Sequence, residues 1–295
     1  MSVTGTGSHA EVLNEGVAGL AGRYDGWILD VWGTIYDGGA VFEGARSVLE
    51  ALVARGIPVA IMSNSPRQAM VVEERLSGLG LSADLYSVVI TSGGETRRHL
   101  IDGLDAFHAG LGDRVHTFAP DRFGDILPGT RFALVDDLSD ADWILNAGPA
   151  GDFDQVDVYE DRLAAAAARD LPMVCANPDL AVYDQGRRKI HAGALAARYE
   201  ALGGSVRYHG KPHVPVFVRA AELLQLPLER LIMVGDNRDT DIAGAEAAGM
   251  ASLLLADGIH HERLLKGTDL DISALESFLA EPGAVPTHVA ARLSW

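Results

Sequence analysis

Short apolar runs alternate along this chain with longer stretches whose apolar residues recur at helical spacing. Trp27–Val31, Ile57–Met62 and Val88–Thr91 have the length and composition of buried strands. Between and after them, Glu43–Arg55, Arg67–Gly80 and a segment opening at Glu95 predict helices. The alternation returns late in the chain, with a strand predicted at Leu231–Val234, a helix at Asp239–Ala248 stopped by Gly249, and a strand at Ala251–Leu255. Strands that alternate with helices predict a doubly wound parallel sheet covered on both faces, an α/β fold.

The middle of the chain breaks this rhythm. Gly/Pro/Asp clusters at Pro120–Asp125, Pro128–Thr130 and Asn146–Asp154 separate shorter apolar runs, Phe132–Val135, Trp143–Leu145 and Met173–Ala176. An alanine-rich helix is predicted near Val158–Arg169, and a turn at Asn177-Pro178-Asp179. This pattern predicts a second α/β domain inserted into the first. The organisation is then core over 1–98, insertion over 99–205 and core again over 206–295. The first ten residues, rich in Ser, Gly and Thr, read as a disordered lead-in, and the tail after Pro282 as an extended segment.

Composition narrows the class of partner. Acidic residues outnumber basic ones, 41 to 24 in 295 residues. That balance argues against nucleic acid or an anionic membrane, both of which are bound through Lys and Arg. A single cysteine, Cys175, permits no intrachain disulfide and fits a reducing cytoplasm. No apolar run approaches the ~18 residues of a membrane helix.

Four polar clusters each follow a predicted strand: Asp30-Val31-Trp32-Gly33-Thr34, Ser63-Asn64-Ser65-Pro66, Gly210-Lys211-Pro212 and Gly235-Asp236-Asn237-Arg238-Asp239-Thr240-Asp241. In an open parallel sheet the carboxyl ends of the strands share one edge, where ligands bind. The residue types suit phosphoryl transfer. A carboxylate nucleophile, Asp30, divides a difficult displacement into two steps. The Ser63 hydroxyl and the Lys211 ammonium can hold phosphoryl oxygens. Asp30 and Asp236 can share a hard cation that relieves the repulsion between carboxylate and phosphate. Taken singly, each cluster also reads as a helix cap or an ordinary turn.

The order of these clusters, with an insertion between the Ser and Lys segments, resembles class IIA of the haloacid dehalogenase superfamily. The resemblance spans about Tyr24 to Leu255 and is most specific at Ile61–Pro66, Gly210–His213 and Gly235–Ile242. It implies a Rossmann-like core with an inserted cap and a phosphatase acting on a small phosphorylated metabolite such as a sugar phosphate or nucleotide. It also implies Mg2+ as cofactor and an aspartyl-phosphate on Asp30. By the same resemblance Asp30, Ser63 and Lys211 are catalytic, and Asp30, Asp236, Asp241 and the backbone carbonyl of Trp32 serve the metal. Asn64, Asn237 and Thr240 join Ser63 and Lys211 on the substrate side, and a homodimer is compatible with the pattern.

The departure is Trp32, where the superfamily usually has a second Asp serving as general acid and base. An indole N–H donates a hydrogen bond but does not transfer a proton near neutral pH. Two alternatives to hydrolysis therefore stand: a relative that binds a phosphorylated ligand without turnover, and a phosphotransferase. Asp37 is a substitute acid or, more simply, a turn residue before Gly38-Gly39. His209 and His213 flank Lys211, but Gly210 and Pro212 exclude the helix that would align them as a metal pair.

Overall fold

The computed structural model describes residues 2–5, 8–120, 125–184 and 187–295, leaving most of the Gly/Pro/Asp cluster Pro120–Asp125 outside the described residues. The chain divides into two compact units. The first comprises Met1–Ser63, Val72–Ile90 and Lys211–Trp295, and the second Asn64–Val71 and Thr91–Gly210.

An eight-stranded sheet organises the first unit, in the order Ser2–Gly5, Ser8–Leu13, His288–Ala290, Ala251–Leu255, Leu231–Gly235, Gly26–Asp30, Val59–Ser63, Val88–Thr91. Pairing is parallel from Ser8–Leu13 through Val59–Ser63, and antiparallel between the two N-terminal strands. The central strands are apolar throughout because both faces are covered. On one face Ile28, Met62 and Met233 pack with Phe217, Ala220 and Leu224 of the helix Val214–Leu224. Further across the same face, Leu254 and Val289 pack with Leu275 and Phe278 of the helix Ile272–Ala280. Each large side chain buried in this way contributes about 1.5–3 kcal/mol. Packing is close: a Cβ at Gly244 would meet the Phe217 ring at 2.2 Å.

Two strands here differ from expectation. Ser8–Leu13, read from composition as part of a disordered lead-in, is a sheet strand with Ala10 and Val12 buried. The tail contributes His288–Ala290 to the interior of the same sheet, and Arg55 lies over the Trp295 ring at 4.4 Å. The helix predicted at Asp239–Ala248 opens with a π-helical turn, Arg238–Ile242, before its α-helical part, Ala243–Ala247. The Asn237 carbonyl accepts from both Asp241 N and Ile242 N, which widens that turn.

The second unit has its own parallel sheet, ordered Val206–Tyr208, Met173–Cys175, Trp143–Asn146, Arg114–Thr117, Ala133–Leu134. Leu163 and Ala166 of the helix Glu160–Ala167 and Leu195 and Tyr199 of Ala192–Ala201 cover Ile144, Met173 and Cys175. Leu100 and Leu111 pack with Trp143, Leu145 and Val174 on the opposite face. Val206–Tyr208 was expected to begin the returning core at 206. It instead forms the edge of this smaller sheet, because its backbone pairs with Met173–Cys175, and the unit continues to Gly210. Among the described residues no helix is long and apolar enough to cross a membrane.

Candidate active site

Adjacent parallel strands set the site of the first unit. Gly26–Asp30 lies between Leu231–Gly235 and Val59–Ser63, with Asp30 in register with Met62 and Leu29 with Val234. The ends of these strands therefore bring Asp30, Ser63 and Asp236 to one edge of the sheet. Asp241, from the π-helical turn, joins them: one carboxylate oxygen from each of Asp30, Asp236 and Asp241 lies within 4.8 Å of the others, and all three residues are buried. Lys211 enters the same place. Its Nζ donates to Asp30 Oδ1, lies 2.6 Å from Asp241 Oδ1 and 3.5 Å from the Met62 carbonyl.

Glycines make room for these carboxylates. A Cβ at Gly33, whose φ is +81°, would meet Asp236 Oδ2 at 2.1 Å, and one at Gly235 would meet the Asp241 carboxyl carbon at 2.2 Å. The backbone from Trp32 to Gly33 thus passes directly against Asp236. Asp236 Oδ2 also accepts from Ile259 N at 2.7 Å, and Asp241 Oδ2 from Asn237 N at 3.1 Å. Asp241, expected by resemblance to serve the metal, is also a direct partner of the Lys211 ammonium.

The electrostatics follow from burial. Desolvation drives the Asp30 carboxyl well above its ordinary range; Lys211 opposes that shift, while Asp241 and Asp236 add to it. Burial and then the Asp241 charge push Asp236 up to about 7. Lys211 loses solvation too, but Asp241 and Asp30 more than compensate and raise its pKa above the usual lysine value. Three carboxylates and one ammonium leave an excess of buried negative charge, which is costly without a further cation. The donor set is all oxygen, as a hard divalent ion requires. The residues present therefore fit such an ion.

The remaining predicted residues divide into two groups. Ser63 ends its strand half-buried. Asn237 Oδ1 caps the π-helical turn by accepting from Asp239 N at 2.9 Å, and Thr240 is half-buried on that turn. Arg238 turns inward and donates to the carbonyls of Ala284, Phe278 and Glu281, so it braces the loop rather than lining the substrate side. Asn64 belongs to the second unit. Its Nδ2 donates to Asp179 Oδ1 at 2.8 Å, and its Oδ1 accepts from Ser92 Oγ at 3.2 Å. The turn Asn177-Pro178-Asp179 is thereby tied to the residue that follows Ser63.

Trp32 stands apart from the carboxylates. Its side chain is 41% exposed, packs edge-on to Tyr36 with ring centroids 5.3 Å apart, and lies over Gly38, where a Cβ would meet the indole at 2.5 Å. Asp37 is an exposed turn residue. Its Oδ1 accepts from Gly39 N and Ala40 N, both at 2.8 Å, and those bonds lower its pKa. A carboxyl held ionised in this way is a poor proton donor.

One group escaped the sequence reading altogether. In the second unit His99, His108 and His209 converge, each offering a nitrogen within 4.8 Å of the others. His209 thus partners two residues remote in sequence, not the neighbouring His213. Cys175 is buried, and burial pushes its thiol up to about 12, so it behaves as a small apolar residue.

Comparison with known proteins gives a consistent picture. Three family models match: a haloacid dehalogenase-like hydrolase over residues 27–127, a second haloacid dehalogenase-like hydrolase model over 114–249, and a HAD-hydrolase-like model over 208–293. An acid sugar phosphatase of Staphylococcus aureus is 25% identical over 240 residues, covering 80% of this chain and 88% of the relative. A haloacid dehalogenase-like hydrolase from Brucella suis 1330 superposes with a TM-score of 0.80 at 29% identity, over 95% of this chain and 100% of that one. A p-nitrophenyl phosphatase from Archaeoglobus fulgidus shares the fold, with a TM-score of 0.70 at 19% identity over 91% and 96% of the two chains.

Proposed function

Because the chain belongs to the haloacid dehalogenase-like hydrolases, we propose that it hydrolyses the phosphomonoester of a small metabolite, a sugar phosphate or a nucleotide, with Asp30 as nucleophile and Mg2+ as cofactor. The observation that carries the reading is the buried convergence of Asp30, Asp236, Asp241 and Lys211 at the carboxyl ends of adjacent strands. An Asp30 oxygen attacks phosphorus, the bond to the leaving oxygen breaks, and an aspartyl-phosphate forms; water then releases inorganic phosphate and restores the carboxylate. Ser63 and Lys211 hold phosphoryl oxygens during both displacements. Asp30, Asp236 and Asp241, with the backbone carbonyl of Trp32, would hold the ion. Bound there, Mg2+ supplies the positive charge that lets carboxylate and phosphate approach.

Asn237 and Thr240 contact the substrate beyond the phosphate, as does Asn64, oriented by Asp179. The inserted domain is the cap in this reading and sets substrate choice. The excess of acidic residues and the lone buried cysteine support a metabolite substrate and a cytoplasmic setting.

A second reading has its own observation. Trp32 offers no proton transfer, and the Asp37 carboxylate is engaged by backbone N–H groups. The leaving oxygen therefore lacks a general acid from this loop. That favours either turnover of substrates with good leaving groups or retention of a phosphorylated ligand without turnover. A panel of phosphorylated metabolites and aryl phosphates, assayed with Mg2+ and after chelation, separates the two. Metal-dependent phosphate release that is fastest for acidic leaving groups supports hydrolysis. Tight binding with no release under any condition supports the retained ligand.

A further inference from the structure

The three histidines of the second unit come from separate elements: His99 from the helix Ser92–Asp102, His108 from the short helix Ala106–Ala109, and His209 from the residue after the strand Val206–Tyr208. Their rings do not stack. Centroids lie 4.6–5.0 Å apart with interplanar angles of 48–50°, so ring edges converge. His108 Nε2 and His209 Nε2 face each other at 3.0 Å. His108 Nδ1 lies 2.9 Å from Asp105 Oδ1, which assigns the ring proton to Nδ1 and leaves the Nε2 lone pair aimed at His209. His99 Nδ1 is buried and has no hydrogen-bond partner among the described residues; the other oxygen of Asp105 lies 3.6 Å from it. One carboxylate thus hydrogen-bonds one imidazole and lies beside a second.

We propose that His99, His108 and His209 form a transition-metal site of the Zn2+ class, with Asp105 orienting the ligands. Three imidazoles with a fourth position left to water or a ligand is a known arrangement for zinc. A tetrahedral ion with Zn–N bonds of ~2.0–2.1 Å separates its nitrogens by ~3.3 Å, so the facing pair need open only slightly. A carboxylate behind ligating histidines is the usual support, fixing tautomer and ring angle. Two cations flank the cluster: Arg98, paired with Glu95 at 2.6 Å, brings Nη2 within 3.5 Å of His99 Nε2, and Arg207 lies over the Phe107 ring at 5.0 Å. The Asp105 carboxylate beside the imidazoles opposes them, and Arg98 must turn fully to Glu95 if His99 Nε2 is to ligate. Burial holds all three histidines below the ordinary imidazole range, so the neutral ligand form is present at pH 7. The site is chemically distinct from the carboxylate cluster, which has no nitrogen donor apart from the charged Lys211.

The test loads the intact protein with Zn2+ or Co2+ while excess Mg2+ occupies the oxygen site. We expect one equivalent to bind, with visible d–d absorption for Co2+ and, for Zn2+, X-ray absorption showing imidazole nitrogens at ~2.0–2.1 Å. Asp236→Asn should leave this binding intact, and His209→Ala should abolish it. Asp105→Ala should weaken it about 10–100-fold. No binding by the unaltered protein, or an all-oxygen shell around bound Zn2+, overturns the proposal without reliance on any variant. Binding lost in Asp236→Asn but kept in His99→Gln overturns it equally.

Discussion

The two titratable clusters, carboxylates in the first unit and imidazoles in the second, meet the same physical demand in opposite ways. Burial disfavours charge in both. At Asp30 and Asp236 it pushes carboxyl groups towards protonation, and a lysine is brought in to hold the charge. At His99, His108 and His209 it pushes imidazoles towards deprotonation, and no counter-ion beyond Asp105 is needed. The first cluster gathers three carboxylates around one ammonium, a balance that in the proposed reading suits a hard cation and a phosphate. The second is neutral, self-bonded and suited to a softer ion. A polar cluster's charge balance, rather than its degree of burial, indicates what it can bind.

The largest effect expected is on turnover. Asp30→Asn removes the proposed nucleophile while preserving shape, and phosphate release should fall by roughly 10⁴–10⁶-fold. An unchanged rate in a steady-state aryl phosphate assay would transfer the chemistry away from the carboxylate cluster.

The charge balance itself can be broken at Lys211. Lys211→Met leaves three buried carboxylates without their ammonium, and removal of one partner of a buried pair costs about 3–5 kcal/mol. Urea unfolding with and without Mg2+ checks this. Added Mg2+ should recover part of the loss, because it supplies the missing positive charge. A variant as stable as the parent in the absence of metal would mean that the carboxylates are already protonated.

Trp32 sharpens the comparison at the same edge. General acid–base help is worth ~10²–10⁴ in rate. Trp32→Asp should return a part of that, more for alkyl than for p-nitrophenyl esters, since the latter leave without protonation. The indole is exposed, so its loss opens no buried void. A fall in rate with both ester types would make Trp32 a working part of the site.

The smallest effect concerns burial alone. His288 is a buried imidazole of the first unit outside both clusters, with Tyr24 Oη at 2.8 Å and Glu11 Oε2 at 3.1 Å. Burial lowers its pKa below the ordinary 6.5, so the unfolded chain takes up this proton at higher pH than the folded protein does. Its contribution to stability is therefore full above pH ~6.5 and declines as pH falls from there through the lowered folded value. His288→Gln should flatten that part of a stability–pH profile. A profile identical to the parent's would show that the folded protein protonates His288 freely.

What the sequence disclosed follows the same division. Asp30, Asp236 and Lys211 were legible because each sits in a short polar motif at the end of an apolar run, and a parallel sheet gathers such ends. Asp241 was visible as an acid, but its contact with Lys211 depends on a widened π-helical turn that no spacing rule gives. The histidines were illegible. His99 and His108 lie on predicted or short helices, and His209 is a hundred residues beyond them, before a glycine. Only the fold of the second unit joins them. A three-residue strand such as Val206–Tyr208 likewise carries no mark of which sheet it will extend; backbone pairing with Met173–Cys175 decides that. The strand Ser8–Leu13 was hidden because a polar lead composition masks the alternation of Ala10 and Val12.

The central claim, a phosphoryl group carried on Asp30, is tested most directly by trapping. Protein mixed with an aryl phosphate and Mg2+, quenched in acid and reduced with borohydride, should carry a reduced side chain at position 30, found by peptide mass spectrometry. Asp30→Asn should give none. Steady release of phosphate with position 30 unmodified at every quench time would contradict the account.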